Sequence, residues 1–108
     1  MFVCGGENIY PGEVEATLVS HPKVEQACVI SVPDDIKGEK PIAFVVPSHG
    51  STATADEIKQ HALAHAPAFQ HPRMVIFLDE LPLSGPGKID RKALQRQGRE
   101  MWQNEELN

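Results

Sequence analysis

Apolar and polar positions alternate between two periods along this chain, and the switches between them mark out its elements. Met1 to Cys4 is a short apolar run halted by Gly5-Gly6. That pattern predicts a strand entering a glycine turn. A compact domain rarely begins in mid-strand, so the chain is expected to be cut from something larger. Pro11 suits the first turn of a helix, where its missing N–H costs nothing. Glu13 and Glu15 suit the positive end of the helix dipole. Val14 and Leu18, with Ala16 and Val19 beside them, form an apolar stripe at helical spacing. His21-Pro22 should end this first helix, over about 11–20, because the residue before a proline disfavours helical backbone.

Val24 to Val32 is rich in β-branched and small apolar residues. Its unbroken stretch Ala27-Cys28-Val29-Ile30 predicts a strand covered on both faces. Pro33-Asp34-Asp35 and Lys37-Gly38 supply turn chemistry, and Pro41 to Val46 predicts a second strand, antiparallel to the first. Pro47 to Ala53 is a polar loop. Thr54-Ala-Asp-Glu57 has the form of a capping box. It opens a second helix over about 55–66, with Ile58, Ala62 and Leu63 inward and Pro67 as its stop. Arg73 to Leu78 is expected to be a third strand. Leu81 to Lys88 is a loop punctuated by proline and glycine, and Asp90 can cap a short last helix through Ala93 and Leu94. The polar stretch after Gln95, which carries Trp102, is expected to be frayed. The order predicts an α+β domain: a small three-stranded β-sheet with helices packed on it, plus an N-terminal β-hairpin. The domain is expected over residues 1–96, with a polar C-terminal tail over 97–108.

Composition narrows the function. At 108 residues the chain fits one domain, and 41% apolar with 23% charged residues is ordinary globular usage. Ten Lys and Arg stand against fifteen Asp and Glu, a net charge of -5 that argues against nucleic-acid binding. No apolar run approaches the roughly 18 residues of a membrane span. Neither end carries a recognisable signal or anchor. Cys4 and Cys28 form no CxxC or zinc spacing, which points to the reducing cytosol and a buried, inert Cys28. His61 and His65 lie one helical turn apart but lack a third ligand, so no metal site is expected.

Two stretches carry chemistry that packing does not require. Gly5-Gly6-Glu7-Asn8-Ile9-Tyr10-Pro11 sets two glycines where the backbone can turn unusually or approach a ligand closely, although a plain hairpin turn would use the same residues. Leu81-Pro82-Leu83-Ser84-Gly85-Pro86-Gly87-Lys88 stiffens a loop with prolines and turns it at Gly87 just before a lysine. Such a lysine can meet a carboxylate or phosphate as a point charge, or stand merely solvated. It is not a P-loop, because Ile89 follows the lysine and position 82 is proline. Ala66 to Arg73 reads as a helix-to-strand connection.

In order and spacing these pieces resemble the C-terminal domain of the adenylate-forming (AMP-binding) superfamily. The resemblance rests on Met1 to Glu15, His21-Pro22-Lys23-Val24, Val32-Pro33-Asp34, the strand Pro41 to Val46, and Pro82 to Lys88. Gln70 stands where the family often has a lysine, and no role passes to it. Gly-Gly-Glu-Asn-Ile-Tyr-Pro is similar to the acyl- and aryl-CoA synthetases. Gly87 to Leu94 also fits the end of peptide-synthetase adenylation domains. The resemblance implies a mobile domain that works with a large N-terminal adenylation domain, which binds ATP, its Mg and the acid. Lys88 would be the catalytic lysine of acyl-AMP formation, supported by Pro82 and Gly87. Gly5, Gly6 and Glu7 would border the path of coenzyme A in the thioester step. The isolated chain would then be inactive. A free-standing module docking to a separate large domain, and a structural or regulatory domain, are the alternatives. Self-association of the chain is a further expectation, because Met1 to Cys4 would leave an unpaired strand edge.

Overall fold

A computed structural model describes residues 1–36 and 38–107, so Lys37 of the predicted turn and Asn108 of the predicted tail lie outside the described residues. The chain runs β1 (Phe2–Cys4), β2 (Glu7–Ile9), α1 (Pro11–Val19), β3 (Val24–Asp34), β4 (Gly38–Pro47), α2 (Ala55–His65), β5 (Val75–Phe77), β6 (Leu83–Gly85), β7 (Lys88–Ile89) and α3 (Arg91–Leu107). A single 3₁₀ turn, Ala68–Gln70, follows α2.

β4 is the hub. It pairs antiparallel with β3 along its length, from Asp34↔Gly38 to Val24↔Pro47. On its other side it pairs with β1 at Cys4↔Gly38 and, in parallel, with β5 at Ala43–Val45. The expected three strands are all present, and the N-terminal hairpin joins them, so the sheet has five strands in all. Paired on both sides, β1 is not the unpaired edge expected of Met1 to Cys4.

The pleat sends successive side chains to opposite faces, and both faces are buried. Val29, Ala43, Val45 and Val75 point to the side covered by α1 and α2, where they meet Val14, Leu18, Ile58 and Ala62. Cys28, Ile30, Ile42, Phe44 and Ile76 point to the other side, with Leu81 and Leu94. This two-sided cover is why Ala27 to Ile30 reads as a continuous apolar run. Burial pushes the Cys28 thiol up from its ordinary pKa, partly offset by the Arg91 charge.

Local chemistry fixes the element ends. Pro11 begins α1, and the Thr54 hydroxyl accepts from Glu57 N–H at 3.1 Å to cap α2. The helix stripes are narrower than the sequence suggests: Ala16 and Val19 of α1 and Leu63 of α2 are exposed, rotated off the Val14–Leu18 and Ile58–Ala62 lines. Glu15 does more than face the helix dipole. Its carboxylate accepts from the outward N–H of Val29 at 2.8 Å, and the Arg91 guanidinium grips it at 3.1 and 3.2 Å. This fork occupies a free donor of β3, a sheet edge, and ties α1 to the start of α3.

The largest departure from expectation is the C-terminus. The expected short helix and frayed tail are one helix, α3, that runs to Leu107. Leu94, Met101 and Trp102 pack on the sheet, and Lys40 sits 5.2 Å over the Trp102 ring while pairing with Asp34 at 2.9 Å. Among the described residues no helix is long and apolar enough to cross a membrane.

Candidate functional site

Lys88 lies on the β6–β7 hairpin, which the sequence shows only as a punctuated loop. Pro86 and Gly87 form its two-residue connection, with Gly87 at φ +71°, the left-handed conformation that glycine adopts without steric cost. The neck of the hairpin is closed by Asp90 N–H donating to the Pro82 carbonyl at 2.8 Å. Below the neck, Leu81 is buried, Ile89 packs on the same cluster, and the Asp90 carboxylate caps α3 through Ala93 N–H at 3.0 Å. Pro82 and Gly87 therefore support Lys88 through backbone geometry. The lysine is exposed and has no ion-pair partner among the described residues. It is a cation on a short, fixed arm.

Gly5 and Gly6 form the other turn. Both have positive φ, +56° and +85°, and they join Cys4 to its pairing partner Glu7. Two left-handed central residues are the signature of the tight hairpin turn that matches strand twist. A Cβ on Gly6 would meet nothing within 4 Å, so its constraint lies in the backbone alone. Gly6→Ala is expected to cost about 1–2 kcal/mol of stability, and Gly6→Asn less, because asparagine tolerates this region. Urea denaturation of the three proteins checks it; equal stability would show that the turn relaxes.

The turn borders a groove of about 340 Å³ lined by Cys4, Gly5, Glu7, Phe69, His71 and Arg73, with Ala68. Sequence reasoning treats Ala66 to Arg73 as a connection, and the fold makes it the groove's second wall. Arg73 N–H donates to the Pro41 carbonyl at 2.9 Å, which fixes the segment beside β4. The Arg73 guanidinium donates to the carbonyls of Phe69, at 3.2 Å, and His71, and approaches Cys4 Sγ at 3.7 Å. Pro67 and Pro72 around Phe69 and His71, with Arg73 directly after, is the signal that was available in the sequence. Gln70 is buried and reaches Glu13 at 3.5 Å, a bond between the 3₁₀ turn and α1.

The two sites draw on different cores. The residues beneath Lys88 belong to the cluster on the α3 face, whereas Cys4 and Phe69 belong to the cluster under α1 and α2. Among the described residues, no three His, Cys, Asp or Glu side chains come together as a metal site would require.

Residues 13–88 match the family model described as the AMP-binding enzyme C-terminal domain. The chain belongs to this family. Lys88 closes the matched span, and Gly5 to Glu7 precede it. A 2-succinylbenzoate–CoA ligase from a Geobacillus strain is 38% identical over 96 residues, covering 89% of this chain and 20% of that enzyme. Among solved structures, an acyl-CoA synthetase from Brucella canis has a TM-score of 0.82 at 36% identity, over 88% of this chain and 18% of its own. ATP-bound MatB from Rhodopseudomonas palustris has a TM-score of 0.87 at 29% identity, over 94% of this chain and 20% of its own. The chain thus spans about a fifth of these relatives. As an AMP-binding C-terminal domain, it keeps its two glycine turns at opposite ends of the sequence and on separate supports.

Proposed function

We propose that this chain is the mobile C-terminal domain of an acyl-CoA synthetase and supplies its catalytic lysine, Lys88. The observation that carries the reading is the unpaired, exposed Lys88 on a hairpin braced by Pro82, Gly87 and Asp90, at the end of a family match. In the first step a carboxylate oxygen attacks the α-phosphorus of ATP. A new O–P bond forms, the bond to the bridging oxygen breaks, and pyrophosphate leaves. Negative charge gathers between carboxylate and phosphate, and an ammonium held there offsets it and aligns the attacking oxygen. In the second step the thiol of coenzyme A attacks the acyl carbon and AMP leaves. The groove at Gly5 and Glu7, beside Gly6 of the same turn, suits this partner, because the bare turn admits a narrow chain while the Arg73 guanidinium offers positive charge for phosphate and Phe69 a flat apolar face. ATP, Mg and the acid would be held mainly by a large N-terminal adenylation domain, the partner of this one, in the cytosol. The segregation of the two sites onto different cores suits a domain that presents one site per step.

The test uses the full parent enzyme with a panel of carboxylic acids, following pyrophosphate release and then thioester formation with coenzyme A. Both products are expected, and the 108-residue chain alone is expected to give neither. Pyrophosphate release without a thioester would reject the CoA-synthetase reading and favour another adenylating activity.

A further inference from the structure

Away from both candidate sites, three imidazoles meet where the end of α1 faces α2. His61 reaches across from α2, its Nε2 lying 2.8 Å from Ser20 Oγ and 3.1 Å from the Thr17 carbonyl. The Ser20 hydroxyl already donates to that same carbonyl. Nε2 of His61 must therefore carry the hydrogen, which leaves Nδ1 as the site that a further proton would take. The His21 ring stands edge-on to His61 with centroids 4.9 Å apart, and the His65 ring lies tilted against His61 at 4.4 Å. His21 has a constraint of its own: its Nδ1 accepts from Lys23 N–H at 3.0 Å, which requires that nitrogen to be unprotonated. A second proton on His61 would therefore leave its bond to Thr17 in place but set a full charge against the two neighbouring imidazoles.

Among the described residues, the carboxylate near these rings is Glu57, which also faces His21 and is shared with Lys23. Glu57, one turn before His61 on α2, is engaged by Lys23 at 3.1 Å. Glu13 and Glu15 of α1 are engaged by Gln70 and by Arg91. β5 and the 3₁₀ turn, which also pack on α2, consist of Val75-Ile76-Phe77 and Ala68-Phe69-Gln70 and bring no titratable group. Burial, and then the charges of His65 and His21, hold His61 below the ordinary histidine pKa.

We propose that His61, set between α1 and α2 against the His21 and His65 rings, forms an acid-sensitive latch, closed while its ring is neutral and opened when it takes up a proton. The sign follows from linkage. A histidine whose folded pKa lies below its unfolded value of about 6.5 binds more protons when unfolded. Its contribution to stability is complete above that value and is lost as pH falls from there through the folded pKa. The latch also bears on the groove, because α1 starts directly after the Gly5–Gly6 hairpin and Glu13 reaches Gln70 beside Phe69.

The test is urea denaturation of the 108-residue chain between about pH 7.5 and 5.5, with His61→Gln and His65→Gln alongside the wild type. Glutamine keeps an N–H donor for the Thr17 carbonyl but does not titrate in this range. The wild-type folding constant is expected to fall with pH, by about tenfold for each unit separating a folded from an unfolded pKa. His61→Gln should flatten that slope, and His65→Gln, at an exposed position, should flatten it in part. A proton NMR titration of the wild type should place His61 below the ordinary histidine value, and it decides the matter even if a variant folds poorly. The same slope in all three proteins, or His61 titrating at or above the ordinary value, would overturn the latch.

Discussion

Gly98→Val is expected to destabilise the chain by about 1–3 kcal/mol, up to roughly a hundredfold in the folding constant. A Cβ at Gly98 would stand 2.2 Å from Ile30 Cδ1 and 2.8 Å from Ile42 Cδ1. Both isoleucines are buried in the sheet, in the layer that also holds Phe44 and Leu94. The backbone of α3 therefore rests directly on β3 and β4, with Leu94, Gly98, Met101 and Trp102 following one helical stripe. Valine would have to push both methyl ends aside in a close-packed layer or lift the helix away. Gly98→Ala should cost less, since one methyl asks less room and alanine is the better helix former by about 1 kcal/mol. Trp102, the single tryptophan, reports on the outcome. With Gly98→Val its emission should shift to the red as the helix lifts, and urea denaturation should give the loss of stability. Unchanged stability and emission would mean that α3 is not docked through Gly98.

That helix also shows where sequence reading stops. The strands β3 and β4 are legible because a sheet covered on both faces leaves an unbroken apolar run. The caps at Thr54 and Asp90 are legible because they are local. α3 beyond Gln95 is not legible. Its contact stripe contains a glycine in place of an apolar side chain, and most of the surrounding positions are Arg, Gln, Glu or Asn. Met101 and Trp102 stand alone among polar residues, and the glycine that lets the helix approach Ile30 and Ile42 carries no apolar signal. The joining of β1 to β4 rests on one pair, Cys4↔Gly38, which no local pattern specifies.

The site divides in the same way. Lys88 with Gly87, and the Gly5-Gly6 turn, announce themselves through residues that the backbone conformation demands. Phe69, His71 and Arg73 do not, because their use depends on a contact with Cys4 across 69 positions of sequence. Nothing within that connecting segment reveals which wall it faces.

In the parent enzyme, Lys88→Ala is expected to slow acyl-AMP formation by about 10²–10³-fold, the usual effect of removing one charge-stabilising donor from a water-excluded site. Stability should change by less than about 0.5 kcal/mol, because the side chain is exposed and its hairpin is held by backbone bonds and by Ile89. Lys88→Arg should restore activity only in part, since a planar fork does not place its charge where a compact ammonium does. Thioester formation should be spared, because the groove at Gly5 to Glu7 is built on the opposite face of the sheet from the supports of Lys88. A matched loss of stability would instead mark Lys88 as structural.

The most direct measurement is single-turnover kinetics of the two half-reactions, taken separately in the wild-type parent enzyme and in Lys88→Ala: acyl-AMP formation from acid and ATP, then thioester formation from supplied acyl-AMP and coenzyme A. The proposed division of labour predicts a loss of at least about a hundredfold in the first and near wild-type rates in the second. Equal loss in both steps, or loss in neither, would contradict it.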